Sequence, residues 1–100
     1  MSERLDVSAY AARIGQTFRL GFQDGSTLAI VLVEVQDLGA RPTPTGPLSS
    51  YSLRFSSPGE TRFAPQGTYR VEHDELEPQD IFLVPMGPDA IGMRYEAIFN

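Results

Sequence analysis

Apolar and polar residues alternate with a period of two along most of this chain. In "TFRLGF" (17–22), Phe18, Leu20 and Phe22 share one face and Arg19 and Gly21 the other. "YSLRFS" (51–56) sets Tyr51, Leu53 and Phe55 inward against Ser52 and Arg54. "TYRVEH" (68–73) sets Tyr69, Val71 and His73 against Arg70 and Glu72, and "MRYEAIFN" (93–100) sets Met93, Tyr95, Ala97 and Phe99 on one side. Successive side chains of a strand point to opposite faces, so each stretch reads as a half-buried β-strand. "TLAIVLVEVQDL" (27–38) begins apolar on both faces, which predicts a long, central, curved strand. "IFLVPM" (81–86) reads as a short apolar strand ended by Pro85, which cannot donate to a ladder.

The punctuation between these runs suits hairpins. Asp24-Gly25 marks a tight turn, "SPGE" (57–60) a second and "GPDAIG" (87–92) a third. Gly39 to Ser50, "GARPTPTGPLSS", reads as a long loop, since its Pro, Gly, Thr and Ser disfavour helix and ladder alike. Pro44-x-x-Pro47 within it matches a minimal polyproline pattern, for which a solvated loop is the simpler reading. One helix is expected, over residues 6–15. Asp6 is a fitting N-cap, Tyr10, Ala11 and Ile14 recur at helical spacing, and Gly15 suits the C′ position.

These elements predict a mainly β fold in a single domain, 1–100: a small antiparallel β-barrel, SH3-like or Sm-like, of about five to six strands over 17–100, with a short N-terminal α-helix. A two-sheet sandwich is the runner-up. A chain of this length buries roughly two-thirds of the surface its unfolded form exposes. With no cysteine it must do so without disulfides, and thiolate metal sites and cysteine nucleophiles are excluded. The opening "MSERLDVSAYAARIG" lacks the charged and apolar regions of a signal peptide, and the longest apolar run, Leu28–Val33, is strand-sized. A cytoplasmic protein is therefore expected.

The net charge is −5 and every basic residue is arginine, which reads as the mark of a GC-rich genome. The acidic balance opposes nonspecific contact with nucleic acid or anionic lipid. Arg19, Arg54, Arg70 and Arg94 occupy outward strand positions with Glu72 and Glu96 between them, a pattern of cross-strand ion pairs before it is a basic stripe. The inward tyrosines read as core, whereas a platform for bases would need them exposed.

The segment Glu72 to Asp80 carries the only histidine, His73, with Glu72, Asp74, Glu75, Glu77 and Asp80 around it. One histidine without cysteine is too few for a zinc site, and the carboxylate spacing does not match a calcium-binding EF-hand loop. Strand neighbours of His73 point away from it, so a catalytic dyad within the segment is awkward. No G-x-S-x-G, glycine-rich phosphate loop or H-E-x-x-H is present. The segment is expected to be a strand ending at His73, with His73 bonding a backbone group at the barrel rim. An acidic loop from Asp74 to Asp80 would follow, with Leu76 dipping into the core. No residue is assigned a catalytic, cofactor or metal role.

Together "GQTFRL", "LVEVQDL", "YSLRF", "QGTYRVEH", "IFLVPMG" and "RYEAIFN" resemble an uncharacterised family of short bacterial all-β domains, over nearly the whole chain. The resemblance transfers no catalytic residue. It implies company with phage-tail-collar-like proteins. The expectation is a non-enzymatic protein-interaction or assembly module, binding through the Gly39–Ser50 loop or a sheet edge. Its partner would be a protein, with a homo-oligomer also compatible and nucleic acid and membrane disfavoured. The alternatives are an Sm-like oligonucleotide-binding protein, and a small enzyme or ligand carrier using His73.

Overall fold

The computed structural model describes residues 5–59 and 63–99. It contains α1 (Val7–Ala11) and six strands: β1 (Thr17–Gly21), β2 (Thr27–Thr43), β3 (Gly46–Pro58), β4 (Gly67–His73), β5 (Leu76–Pro88) and β6 (Gly92–Phe99). All pair antiparallel in one sheet, in the order β1-β2-β3-β6-β5-β4, and β4 returns to β1 to close a ring. One closed sheet replaces the sandwich. No described helix is long and apolar enough to cross a membrane.

Every inward position expected in the four alternating strands lies on the inner side. Phe18, Leu20, Tyr51, Leu53, Phe55, Val71, Tyr95 and Ala97 are buried, joined by Leu28, Ile30, Leu32, Ile81 and Leu83. Burying each large apolar side chain contributes roughly 1.5–3 kcal/mol. Tyr10 closes one end of the ring, its ring centroid about 6 Å from those of Phe18, Tyr51 and Phe99.

The Asp6 cap forms as expected: its carboxylate accepts from the Ser8 hydroxyl at 2.6 Å and the Ser8 N–H at 3.4 Å. Those bonds, the hydroxyl first, hold its pKa below the ordinary value. The helix is shorter than expected, ending at Ala11 and leaving Ile14 exposed. The chain leaves through turns instead. Gly15, at φ +91°, is past the helix, and its N–H bonds the Leu32 carbonyl at 2.7 Å. The Asp24-Gly25 hairpin forms, with Asp24 accepting from the Ser26 N–H and hydroxyl and Gly25 at φ +89°. "SPGE" is described only as far as Gly59; Glu60 lies outside the described residues.

Three further expectations are corrected, each through proline. The Gly39–Ser50 stretch is not a loop: β2 and β3 pair through Ala40–Ser49, Arg41–Leu48, Pro42–Pro47 and Thr43–Gly46, so only Pro44-Thr45 turns. Facing antiparallel residues alternate between hydrogen-bonded and non-bonded pairs, and two prolines can face each other only in a non-bonded pair. There they cost the ladder nothing. The acidic loop is likewise only Asp74-Glu75, because His73 already pairs with Leu76. Val71 faces Gln79, so β5 carries an extra residue between these two pairs, and Pro78 is accommodated in that bulge. Nor does Pro85 end β5, which runs on to Pro88. β4 reaches only to Gly67 opposite Leu83, so Pro85 pairs on one side alone, with Tyr95 of β6. As expected, β2 is long and lies between two strands, with Leu28, Ile30 and Leu32 buried and Ala29 and Val33 exposed.

Candidate functional site

The two longest neighbouring strands, β2 and β3, form a hairpin that outruns the strands beside it. β1 covers β2 from Thr27 to Val31, and β6 covers β3 from Tyr51 to Pro58. Beyond those limits β2 and β3 pair only with each other, forming a two-stranded arm that leaves the body near Asp37 and Tyr51. The molecule is 43 Å long but 28 and 23 Å across. The arm is built from its base outward. A register shift between Asp37 and Ala40 bulges β2 at Leu38-Gly39. Gly39 has φ +91° there, and the Asp37 carboxylate accepts its N–H at 2.8 Å. At the tip the Thr43 hydroxyl donates to the Gly46 carbonyl, and Gly46 has φ +120°. The Tyr51 hydroxyl donates to the Leu5 carbonyl at 2.6 Å and ties the chain start to the arm base. A cleft of about 220 Å³ lies there, lined by Leu5, Asp6, Pro47, Leu48, Ser49 and Tyr51.

Leu38, Gly39, Ala40, Arg41, Pro42, Pro44, Thr45 and Pro47 are exposed, so the arm is a surface with almost no core of its own. Its edges are not inviting to a further strand. In a non-bonded pair the backbone groups of both residues point away from the partner strand. Pro42 and Pro47 therefore each present a nitrogen without hydrogen to an open edge, a common way of protecting edges from unwanted pairing. The polyproline reading of Pro44-x-x-Pro47 does not survive, because those residues form the turn and the start of β3.

The Glu72–Asp80 segment forms a different kind of place. His73 lies against Phe18, ring centroids 4.7 Å apart. Its Nδ1 accepts the Glu75 backbone N–H at 3.0 Å, and its Nε2 lies 2.7 Å from Gln16 Oε1. The expected bond to backbone at the rim is present. The carboxylates meet arginines: Asp74 bonds Arg19 at 2.9 Å, and Glu75 lies 3.6 Å from Arg13. No group of three or more His, Cys, Asp or Glu that could hold a metal occurs among the described residues.

The outward arginines do not make one stripe. Arg54 lies between Glu96 at 3.3 Å and Glu34 at 3.7 Å, and Arg94 is 3.5 Å from Asp89. Of the two acids expected between them, Glu96 is engaged, but Glu72, although opposite Arg19, yields it to Asp74. Asp89 also accepts from the Gly92 and Ile91 N–H groups, which, with Arg94, hold its pKa below the ordinary value. Near Arg54 and Arg94 a cleft of about 270 Å³ runs between Val33, Met86 and Tyr95.

The arm is the feature that sequence reasoning missed. Asp37-x-Gly39 and Thr43-Pro44-Thr45-Gly46 carry bulge and turn residues with the spacing a ribbon needs, and that signal was there to be read. Residues 5–99 match a family defined by a domain of unknown function (DUF6916), and the chain belongs to that family. No curated protein and no solved structure matches it.

Proposed function

We propose that this DUF6916 domain is a non-enzymatic protein-interaction or assembly module that engages its partner with the β2–β3 arm. One observation carries the reading: two strands that could have stopped at the ring continue well beyond it, into a ribbon with little to bury. Seven residues from Leu38 to Pro44 extend on the order of 20 Å at the rise of a strand. Such a projection costs chain entropy with little return in core burial. Presenting a surface is the role that accounts for it. The guarded edges favour contact through the arm's side chains over addition of a strand.

The same proposal includes an SH3-like or Sm-like barrel, a cytoplasmic setting and service as an accessory of a phage-derived complex. Support for the barrel type is the order of one short helix followed by a closed ring of bent strands. Support for the phage setting is the sequence resemblance alone. The test replaces residues 38–50 with Asn-Gly, a two-residue turn suited to a hairpin flanked by Asp37 and Tyr51. The full chain and the armless variant are compared by light scattering and by capture from an extract of the source cell. Loss of assembly or of a captured protein in a folded armless variant is expected. Identical mass and identical capture would refute the reading.

An Sm-like oligonucleotide-binding role is the second proposal, for which the outward arginines speak. Against it, Arg19, Arg54 and Arg94 each face a carboxylate, and Tyr51 and Tyr95 are fully buried. Absence of salt-sensitive binding to short RNA in a gel shift would remove it.

A further inference from the structure

The ring closes where β1 meets β4, and that seam is short. Only Arg19–Glu72, Leu20–Val71 and Gly21–Arg70 pair across it. Continued by one step, the register sets Phe18 opposite His73, the two rings found 4.7 Å apart. Side chains extend the seam where backbone pairing stops. His73 Nε2 meets Gln16 Oε1, Arg13 reaches Glu75, and Arg19 bonds Asp74. These links run from the α1–β1 connection and β1 to His73 and the Asp74-Glu75 turn, beside the end closed by Tyr10.

The bond from the Glu75 N–H fixes which imidazole nitrogen is bare. An N–H can be accepted only by a ring nitrogen with a free lone pair, so Nδ1 is unprotonated and Nε2 donates to Gln16. A second proton must enter at Nδ1. It would then face the Glu75 N–H donor to donor.

We propose that His73 is a proton-sensitive staple on the closing seam: protonation at Nδ1 releases the Glu75 amide and loosens the β1–β4 seam together with α1. Of the charged groups around it, the two arginines act in the same direction, whereas the carboxylates attract an imidazolium. Arg13 follows α1, Arg19 is on β1, Glu72 on β4, Asp74 and Glu75 in the turn, and Glu77 on β5. An imidazolium adds a cation beside Arg13 and Arg19 and competes with them for Asp74 and Glu75, weakening the ties between the turn and the α1–β1 connection. Loosening this seam would free the facing edges of β1 and β4, which, unlike the tip of the arm, carry no proline. This device is independent of the arm-mediated role.

The test follows backbone amides of the intact chain by NMR between about pH 8 and about pH 5, where histidine changes charge. Protection of the Glu75 amide, corrected for intrinsic exchange, is expected to fall about tenfold on acidification, as for the loss of one ordinary hydrogen bond. Leu20 and Val71 should follow with smaller losses. His73→Gln keeps an acceptor for the Glu75 N–H but cannot be protonated, and its Glu75 protection should stay level. Unchanged protection in the wild type, or an equal fall in H73Q, overturns the proposal. Nitrogen shifts of the imidazole give a check that needs no variant: a proton on Nδ1 at about pH 8 also overturns it.

Discussion

The ring and the arm are made from the same two strands and obey opposite rules. Within the ring, β2 has β1 beside it from Thr27 to Val31 and β3 has β6 beside it from Tyr51 to Pro58, and Leu32, Tyr51, Leu53 and Phe55 are fully buried. Past Asp37 and Tyr51 the same backbones keep their mutual ladder, have no further strand beside them and turn most of their side chains to solvent. Hydrogen bonding between two strands is therefore enough to continue a strand but not to give it a core. What stabilises the ring is inward packing. The arm persists because it is rooted in that packing and shaped by Gly39, Gly46 and the Pro42–Pro47 pair.

The largest difference between the two regions should appear on truncating a side chain. Phe55→Ala in the ring should lower unfolding free energy by about 3–5 kcal/mol, whereas Leu48→Ala on the arm should stay within about 0.5 kcal/mol. Chemical denaturation of both variants checks this, and equal losses would mean that the arm is part of the core. Next comes Gly92→Ala. A Cβ at Gly92 would overlap the Ser57 carbonyl on the neighbouring strand, whereas one at Gly21 would make ordinary contact with the Arg70 carbonyl at 3.5 Å. A loss of about 1–3 kcal/mol is expected for G92A, measured as a shift in urea midpoint.

Tyr95→Phe probes how the ring holds residues 63–66. The Tyr95 hydroxyl accepts the buried Ala64 N–H at 2.8 Å, and removing it should cost about 1–3 kcal/mol. Burial also raises the Tyr95 pKa, only partly offset by the Ala64 bond. A phenol whose folded pKa exceeds its unfolded value of about 10 adds stability in full below that value. That stability is lost as pH rises through the folded pKa. Alkaline denaturation should therefore steepen above about pH 10 in the wild type, and this component should vanish in Y95F.

The smallest effect on stability should come from Pro42→Ala combined with Pro47→Ala, about 0.5 kcal/mol, chiefly through the unfolded chain. Its effect on association should be larger. Two new N–H donors on the open edges should raise concentration-dependent self-association in sedimentation. Unchanged association would show that the bulge at Leu38-Gly39 protects the edge without the prolines.

Much of the ring was legible in the sequence because a strand's two faces are set locally. Tyr51, Leu53 and Phe55 must share a side whatever β3 pairs with, and so must Met93, Tyr95, Ala97 and Phe99. Asp6 as a cap and Asp24-Gly25 as a turn are equally local. Which neighbour a backbone meets is not. Nothing near Tyr51 specifies that β3 lies beside β6, or that β4 closes on β1 and brings Gln16 to His73. Prolines 42, 47, 78 and 85 each look like interruptions, because a residue without an N–H cannot serve a ladder bond. Whether that bond was ever required depends on the strand alongside, and only the tertiary structure sets each proline in a non-bonded pair, in a bulge or past a neighbour's end. Residue pattern alone determined a cysteine-free domain of antiparallel strands and the inward face of each; long-range pairing decided the ring, the arm and the company of His73, since those contacts join residues far apart in the chain.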